Sequence, residues 1–410
     1  MEINIDRLMA NIEAYATYGK EKNGGVNRPS FSAADYEVRN LFTQELKALG
    51  MSVSIDSIAN IWGTLPGSGE KDVPLVIGSH LDTVPNGGKY DGALGVLAAK
   101  EIVQTLIDHH ITLAHPLQIV SFTAEEANEF NFSTMGSRAM SGKLVSQELL
   151  AASDRTGRTL ATAIEKAGGD LSLMDAEEKG SMAAYFELHI EQGSKLENEK
   201  LSVGIVDSIV GIYRDLVTIE GQQNHSGTTV MKSRKDALAA AGEMVAEVQK
   251  LALALNSDTV ATVGKFEVFP NAANIIPGRV EFTLEVRSAN KKERESLVQH
   301  IHEAFHAIKN RHGVKMAVSN SYNTQECDFD RQLIGILEEA AAESGIPYTI
   351  LPSMAGHDAM NLAQMTPSVM IFVKSIKGIS HSPKELSVPE DIEKSANLLL
   401  NGLLKADQIL

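Results

Sequence analysis

Short apolar runs alternate with segments of helical periodicity in the first half of the chain. Residues 117–122 and 183–189 are β-rich runs that indicate buried strands, whereas residues 94–108 repeat apolar positions every three or four residues and predict an amphipathic helix. Residues 136–142 are expected to form a loop, and residues 147–167 to be mostly helical. This alternation of buried strands and amphipathic helices predicts an α/β fold.

The pattern changes near residue 211. From there, strand-like and helix-like segments follow each other in the order β-α-β-β-α-β, which is typical of a small two-layer α+β domain of the ferredoxin-like kind. After residue 327 the α/β pattern resumes. We therefore expect a discontinuous first domain made of residues 1–210 and 328–410, interrupted by an inserted domain at residues 211–327.

Side chains that bind metals well follow four of the predicted strands. In open α/β sheets, ligands bind at the carboxyl ends of the strands. Any one of these residues alone is more often a structural or solvated group, since acids also suit the first turn of a helix. Six of them at four strand ends indicate a metal site: His80, Asp91, Glu125, Glu126, His189 and His381.

The chemistry of this set fits two divalent ions. Imidazole and carboxylate ligands suit zinc, and manganese, cobalt or nickel also fit. Two such ions can share a water molecule and lower its pKa. A general base must then be free of the metals, and of the adjacent Glu125 and Glu126 one can bind metal while the other reaches the water. Asp82 lies two residues after His80, on the same side of an extended segment, and is expected to accept the second ring N–H of His80.

Length and composition narrow the possible functions. A chain of 410 residues suits two domains. The formal net charge of −16 argues against nucleic acid or an anionic membrane surface as a partner. No apolar run reaches the roughly 20 residues of a membrane span, and the first residues lack a signal-peptide pattern. A single cysteine, Cys327, excludes an intrachain disulfide. We expect a cytoplasmic protein.

Four motifs carry a resemblance to a known family. They are G-S-H-L-D-T-V-P-N-G-G-K-Y-D-G, F-T-A-E-E, E-L-H-I-E-Q-G and G-I-S-H-S-P. Together they resemble the M20-type dimetal amidase/hydantoinase/carbamoylase family, and the resemblance covers essentially the whole chain. It implies a zinc-peptidase-like catalytic domain with a mixed central sheet and two divalent metal ions in each subunit. It also implies that the inserted domain acts as a lid and joins two subunits into a homodimer.

The resemblance also implies a role for each candidate ligand. His80, Asp91 and His189 would hold one metal. Asp91, Glu126 and His381 would hold the other, so that Asp91 bridges the two ions. Glu125 would then be the general base and acid, with Asp82 supporting His80.

Substrate contacts follow from the same resemblance. His225 would stabilise the oxyanion from the partner subunit, and Asn274 and Arg287 would hold a substrate carboxylate, a role that suits the planar fork of arginine. Glu129 stands where the family commonly has arginine, which leaves the recognition of the distal part of the substrate open. Further pocket positions are Gln192, Gly356 and His357.

The implied reaction is hydrolysis of the ureido (N-carbamoyl) C–N bond of a small carboxylate substrate. An N-carbamoyl-L-amino acid is the favoured substrate, with allantoate or ureidoglycolate as the alternative. A dimetal aminopeptidase or an N-acyl amino acid deacylase is a more distant alternative. A scaffold without catalysis would be expected to have lost ligands, whereas all five candidate ligands and Glu125 are present.

Overall fold

The computed structural model describes residues 1–177 and 180–410, which form two compact units. The first unit contains residues 1–207 and 328–410, and the second contains residues 208–327. The boundaries thus fall at 207/208 and 327/328, where the sequence predicted 210/211 and 327/328. Among the described residues, no helix is both long enough and apolar enough to cross a membrane.

The strands are numbered along the chain. A nine-stranded sheet belongs to the first unit, a four-stranded sheet to the second, and one two-stranded ribbon also lies in the second. Their bounds are β1 (Ser52–Ile55), β2 (Ile61–Leu65), β3 (Leu75–His80), β4 (Leu117–Phe122), β5 (Ala184–Ile190), β6 (Val203–Ile209), β7 (Gly211–Glu220), β8 (Asn224–His225), β9 (Val260–Phe269), β10 (Ile275–Ile276), β11 (Arg279–Ser288), β12 (Lys315–Thr324), β13 (Cys327–Asp328), β14 (Tyr348–Ser353) and β15 (Ser368–Val373).

Helices cover the nine-stranded sheet and one face of the four-stranded sheet. Short 3-10 turns at Leu171–Leu173, Met231–Ser233 and Ile376–Gly378 complete the secondary structure. The helices are α1 (Ile5–Tyr15), α2 (Ala33–Ala48), α3 (Ala93–Asp108), α4 (Met135–Met140), α5 (Ser146–Ala151), α6 (Leu160–Lys166), α7 (Lys195–Glu199), α8 (Ala237–Ala254), α9 (Lys291–His312), α10 (Arg331–Ser344), α11 (Ala359–Leu362) and α12 (Pro389–Ile409).

The large sheet is mixed, which confirms the predicted α/β class. Its order is β1-β2-β4-β3-β5-β15-β6-β13, and β14 pairs with β6. The central strands β4, β3, β5 and β15 are parallel neighbours, whereas β2 and β6 run antiparallel beside them. All side chains of β3, β5 and β15 are buried, as expected for strands covered on both faces. The carboxyl ends of these parallel strands therefore meet at one edge.

Two local predictions were wrong. Most of the expected loop at residues 136–142 belongs instead to helix α4. Gly136 reads as a loop signal in the sequence, but here it allows close packing, because a Cβ there would lie 2.0 Å from the side-chain oxygen of Asn60. The segment at residues 147–167, which was expected to be mostly helical, is divided into α5 and α6 with a non-helical stretch between them. Asp154 causes the break, because its carboxylate accepts the backbone N–H groups of Thr156 and Arg158 and closes a turn.

The second unit is built on an antiparallel sheet of order β12-β7-β11-β9. Along the chain its main elements run β7-α8-β9-β11-α9-β12. Strand β11 alternates between two environments: Val280, Phe282 and Leu284 are fully buried in a core shared with α8 and α9. Arg279 and Arg287 lie on the opposite face of the same strand.

Candidate active site

Parallel strands bring the predicted ligands to one edge of the large sheet. His80 is the last residue of β3, and His189 is the second-to-last residue of β5. Their ring centroids lie 5.8 Å apart, and both side chains are 1% exposed. Glu125 and Glu126 follow β4, and each is 9% exposed. Four of the six predicted residues therefore lie on, or shortly after, three neighbouring parallel strands.

Two glycines allow the loop before α3 to approach these histidines. Gly92 has φ +65°, and a Cβ at this position would lie 2.2 Å from the ring of His80. Gly95 sits in the first turn of α3, where a Cβ would lie 2.3 Å from the carbonyl oxygen of Leu188. Because neither position tolerates a side chain, the helix begins directly against β3 and β5 and delivers Asp91 between the histidines.

The side chain of Asp91 connects two groups of candidate ligands. Its Oδ1 lies 3.2 Å from Nε2 of His189 and 3.7 Å from Nε2 of His80. Its Oδ2 lies 3.3 Å from Nε2 of His381, which is in turn 3.1 Å from Oε1 of Glu126. Within each group, His80-Asp91-His189 and Asp91-Glu126-His381, the potential ligand atoms lie within 4.8 Å of one another. One carboxylate oxygen thus faces each group.

The histidines are oriented as metal ligands would be. Nδ1 of His80 lies 3.0 Å from the carbonyl oxygen of Asp82, and Nδ1 of His189 lies 3.0 Å from that of Ile190. These contacts use Nδ1 as the donor, so that Nε2, which faces Asp91, is the ring nitrogen available to a metal. The nitrogen and carboxylate donors fit two divalent cations of the zinc, manganese, cobalt or nickel type.

The role predicted for the carboxylate of Asp82 requires a correction. The contact with His80 Nδ1 comes from the backbone carbonyl of Asp82, while its Oδ1 is 3.7 Å away and beyond hydrogen-bond range. The carboxylate instead accepts the backbone N–H groups of Glu125 at 3.3 Å and Glu126 at 3.2 Å, and the hydroxyl of Ser30 at 2.7 Å. Asp82 therefore ties the His80 segment to the two glutamates.

The charges around Asp91 shift the pKa values of its neighbours. Burial favours the neutral form of His189, but the hydrogen bond to Asp91, together with the negative charges of Asp91 and Glu187, outweighs it and raises the pKa of His189 to about 9. Hydrogen bonds to Asp91 and Glu126 raise the pKa of His381 to about 10. Burial alone would raise the pKa of Asp91, yet its contacts with the histidines hold it well below the usual value. The carboxylate of Asp91 thus stabilises positive charge on the groups around it.

Glu125 differs electrostatically from these ligands. Burial, followed by the negative charges of Glu126, Asp358 and Asp82, raises the pKa of Glu125 well above the usual value for glutamate. Its Oε2 lies 3.7 Å from Nε2 of His80, and it belongs to neither ligand group. A buried carboxyl that holds a proton readily, beside a candidate metal site, suits a general acid and base.

Three residues at this site have a left-handed backbone conformation. Ala124, immediately before Glu125, has φ +55°, Gln192 has φ +59° and His381 has φ +52°. Each such left-handed residue other than glycine costs on the order of 1–3 kcal/mol, and such residues are frequent at functional sites. The strain directs Glu125 and His381 away from the regular paths of the elements they follow.

The predicted pocket residues of the first unit occupy three different environments. Gln192 donates from Nε2 to Oδ2 of Asp91 at 2.8 Å, so it lies at the candidate metal site. Gly356 is exposed. His357 is only 2% exposed and packs against His189, with ring centroids 4.4 Å apart, while its Nε2 contacts the hydroxyl of Ser353. His357 therefore supports a ligand histidine directly.

The remaining predicted residues lie in other parts of the chain. In the second unit, His225 is in β8 and Asn274 immediately precedes its partner strand β10. Arg287 is near the end of β11, where its Nε donates to Oε1 of Glu285 at 2.8 Å. In the first unit, Glu129 is exposed and forms an ion pair with Arg158 at 3.4 Å.

Two buried glutamates at this site were missed by the sequence reasoning. Glu187 lies two residues before His189 on the same face of β5, and Glu385 follows His381 by four residues. The two-residue period of a strand carries a signal for Glu187. Neither a period nor a metal-binding motif marks Glu385, which is brought to the site by a loop.

Comparison with known proteins shows the family to which the chain belongs. The profile of the peptidase family M20/M25/M40 matches residues 76–405. An N-carbamoyl-L-amino acid amidohydrolase of Geobacillus stearothermophilus is 37% identical over 405 residues, and the match covers 98% of each chain. An allantoate amidohydrolase of Bacillus subtilis is 35% identical over 394 residues, with 96% of each chain covered.

Solved structures agree with the sequence comparison. A crystal structure of an amidase of the hydantoinase/carbamoylase family from Burkholderia multivorans matches with a TM-score of 0.93 at 32% identity, covering 99% of this chain and 98% of that one. The family resemblance predicted from four motifs is confirmed. The chain belongs to the peptidase family M20/M25/M40, and it is an amidohydrolase that acts on C–N bonds.

Proposed function

We propose that this enzyme hydrolyses the ureido C–N bond of an N-carbamoyl-L-amino acid. The observation that carries the proposal is the pair of ligand groups that share Asp91, with the proton-holding carboxyl of Glu125 beside them. The relatives named for N-carbamoyl-L-amino acid and allantoate hydrolysis support a ureido substrate. Allantoate or ureidoglycolate remains the second candidate substrate.

Glu125 would move the proton in this reaction. His80, Asp91 and His189 would hold one divalent cation, and Asp91, Glu126 and His381 the other. When bound, these ions would polarise the ureido carbonyl and lower the pKa of water. Glu125 accepts a proton from the attacking water and then donates it to the departing nitrogen. Cleavage of this one C–N bond leaves a carbamate, whose remaining C–N bond breaks as it loses carbon dioxide. The final products are therefore ammonia, carbon dioxide and the free amino acid.

His225 is suited to stabilise the oxyanion. Its Nδ1 accepts the backbone N–H groups of Gly227 at 3.0 Å and Thr228 at 3.3 Å. A ring nitrogen that accepts two hydrogen bonds carries no proton, so the donor of His225 is Nε2. A preoriented N–H group is what a developing oxyanion requires. We assign this residue to the oxyanion of the partner subunit's reaction in a homodimer.

The second unit would bind the substrate carboxylate. Arg287 and Asn274 are the proposed contacts, and Glu285 orients the guanidinium of Arg287 through Nε. We propose that this ferredoxin-like unit is the lid and dimerisation domain. Gln192, Gly356 and His357 would complete the substrate pocket and its support.

An activity panel tests the substrate assignment. We expect the purified enzyme, reconstituted separately with zinc, manganese and cobalt, to release ammonia from N-carbamoyl-L-amino acids faster than from allantoate or ureidoglycolate. Dipeptides and N-acetyl amino acids, followed by the free amino acid that they would release, are the control substrates, because they probe the peptidase and deacylase alternatives. A preference for allantoate would transfer the assignment to the second candidate, and a preference for dipeptides would reject the ureido class.

Arg287→Ala is expected to impair substrate binding. Loss of a charge-assisted contact to a carboxylate costs about 1.5–3 kcal/mol, so KM should rise by roughly 10–150-fold. Arg279→Ala is the matched control, because Arg279 lies on the same face of β11 and is paired with Glu281. Steady-state kinetics with an N-carbamoyl amino acid would measure both. Equal KM values for the two variants would exclude Arg287 as the carboxylate contact.

A further inference from the structure

The carboxylate of Glu187 connects three segments: β3, which carries His80, β5, which carries His189, and the start of α11, which follows His357. Its Oε1 accepts the hydroxyl of Ser79 at 2.8 Å, next to His80 in β3. Its Oε2 accepts the hydroxyl of Tyr185 at 3.0 Å and the backbone N–H of Ala359 at 3.1 Å, two residues after His357. Glu187 itself is 1% exposed and shares a strand face with His189.

Glu385 makes the corresponding contacts on the other side of Asp91. Its Oε1 accepts the backbone N–H groups of Tyr90 at 2.9 Å and Asp91 at 3.1 Å. Its Oε2 accepts the hydroxyl of Ser380 at 3.1 Å, and this serine precedes His381 and also contacts Oδ2 of Asp91 at 2.9 Å. Gly88 is required beside it, since a Cβ there would lie 2.0 Å from Glu385 Oε1.

Both glutamates are held as acceptors of several hydrogen bonds. Glu187 lies within ligand reach of His189 and His357, but its two oxygens already receive two hydroxyl groups and one amide. Glu385 belongs to none of the candidate ligand groups among the described residues. Buried carboxylates with this many donors fix the segments that carry the donors.

We propose that Glu187 and Glu385 are positioning residues, each dedicated to one of the two metals. Glu187 fixes His80 and His189 through β3 and β5, so it supports the metal held by His80, Asp91 and His189. Glu385 fixes the Oδ2 side of Asp91 and the His381 loop, so it supports the metal held with Glu126 and His381. This inference rests on the dimetal site of the proposed function and assigns two further residues to it.

Variants of the two glutamates test this division. Glu187→Ala should lower zinc affinity by roughly 10–100-fold at the His80 site and leave the His381 site within a few-fold of wild type, whereas Glu385→Ala should do the reverse. Competition with a chromogenic chelator would give the two affinities. Anomalous scattering at the zinc edge, from crystals at limiting zinc, would show which site is empty.

Conservative variants separate positioning from loss of folding. Glu187→Gln and Glu385→Gln keep the size and one oxygen acceptor, so zinc binding should recover to within a few-fold of wild type. If an Ala variant fails to fold, Ser79→Ala removes a single contact of Glu187, and Ser380→Ala removes one of Glu385 together with the contact of Ser380 to Oδ2 of Asp91. Each serine variant should weaken only its own site, by several-fold. Far-UV circular dichroism would establish that the compared proteins are folded.

Different outcomes overturn different statements. Equal losses at both sites in each glutamate variant, or unchanged affinity at both, would overturn the division of roles proposed here. Gln variants as weak as the Ala variants would show that the negative charge matters and the positioning does not. A wild-type protein that binds fewer than two zinc ions would instead reject the dimetal site, and with it the proposed function.

Discussion

Replacing Glu125 by glutamine is expected to lower kcat by about 10²–10⁴-fold, the range attributed to a positioned general acid or base. Glutamine has nearly the same size as glutamate but can neither take a proton from water nor return it to the leaving nitrogen. The metal content should remain at the wild-type level, because Glu125 belongs to neither ligand group. Single-turnover ammonia release and metal analysis of the same sample would measure both quantities.

Glu126→Gln is the matched control for this prediction. The two glutamates are adjacent and equally buried, and Asp82 accepts the backbone N–H of both. Glu126 contacts His381 in the second ligand group, so its variant should lose activity together with one metal. A metal-replete Glu125→Gln enzyme with near wild-type kcat would refute the role of Glu125. Loss of metal in that variant would make Glu125 a ligand.

The grouping of the candidate metal ligands was largely predictable from the sequence because strands carry most of them to one edge of the sheet. His80 and His189 lie at the ends of two parallel strands, and Glu125 follows a third. An apolar β-rich run followed by a polar residue can be recognised directly in the sequence. The α/β class follows from the same alternation. The order of Glu125 and Glu126 in the sequence does not show which of them contacts His381. The direction of each side chain depends on the path of the loop that carries both residues.

Features that depend on tertiary packing were harder to predict from the sequence. Helix α4 was missed because Gly136 reads as a loop signal, although here it allows close approach to Asn60. The carboxylate of Asp82 was assigned to His80 by the two-residue period, but its oxygens accept amide groups from a loop more than forty positions later in the chain. The hydrogen-bond partners of such a buried carboxylate depend on which donors the folded chain brings close to it, and local periodicity in the sequence does not show this.

Asp91→Asn is expected to remove both metals and reduce turnover to the uncatalysed background. Asp91 is the only described residue shared by the two candidate groups of its site, and its two oxygens face different histidines. Asparagine keeps the size but loses the charge, and its amide nitrogen cannot act as a ligand on one side. The loss of affinity should exceed the roughly 100-fold caused by losing an outer partner of a ligand.

Thermal unfolding with and without zinc measures this prediction independently of activity. A ligand that binds only the folded state stabilises it by about 2.7 kcal/mol at a concentration of 100 Kd, so zinc should raise the Tm of the wild-type protein. Asp91→Asn should show no such rise, and His381→Ala, which keeps the first group intact, should show part of it. Asp108→Asn is the control at an exposed aspartate of α3. If zinc stabilised Asp91→Asn as strongly as wild type, Asp91 could not be the bridge, because each group would then have to hold its metal without the carboxylate that the two share.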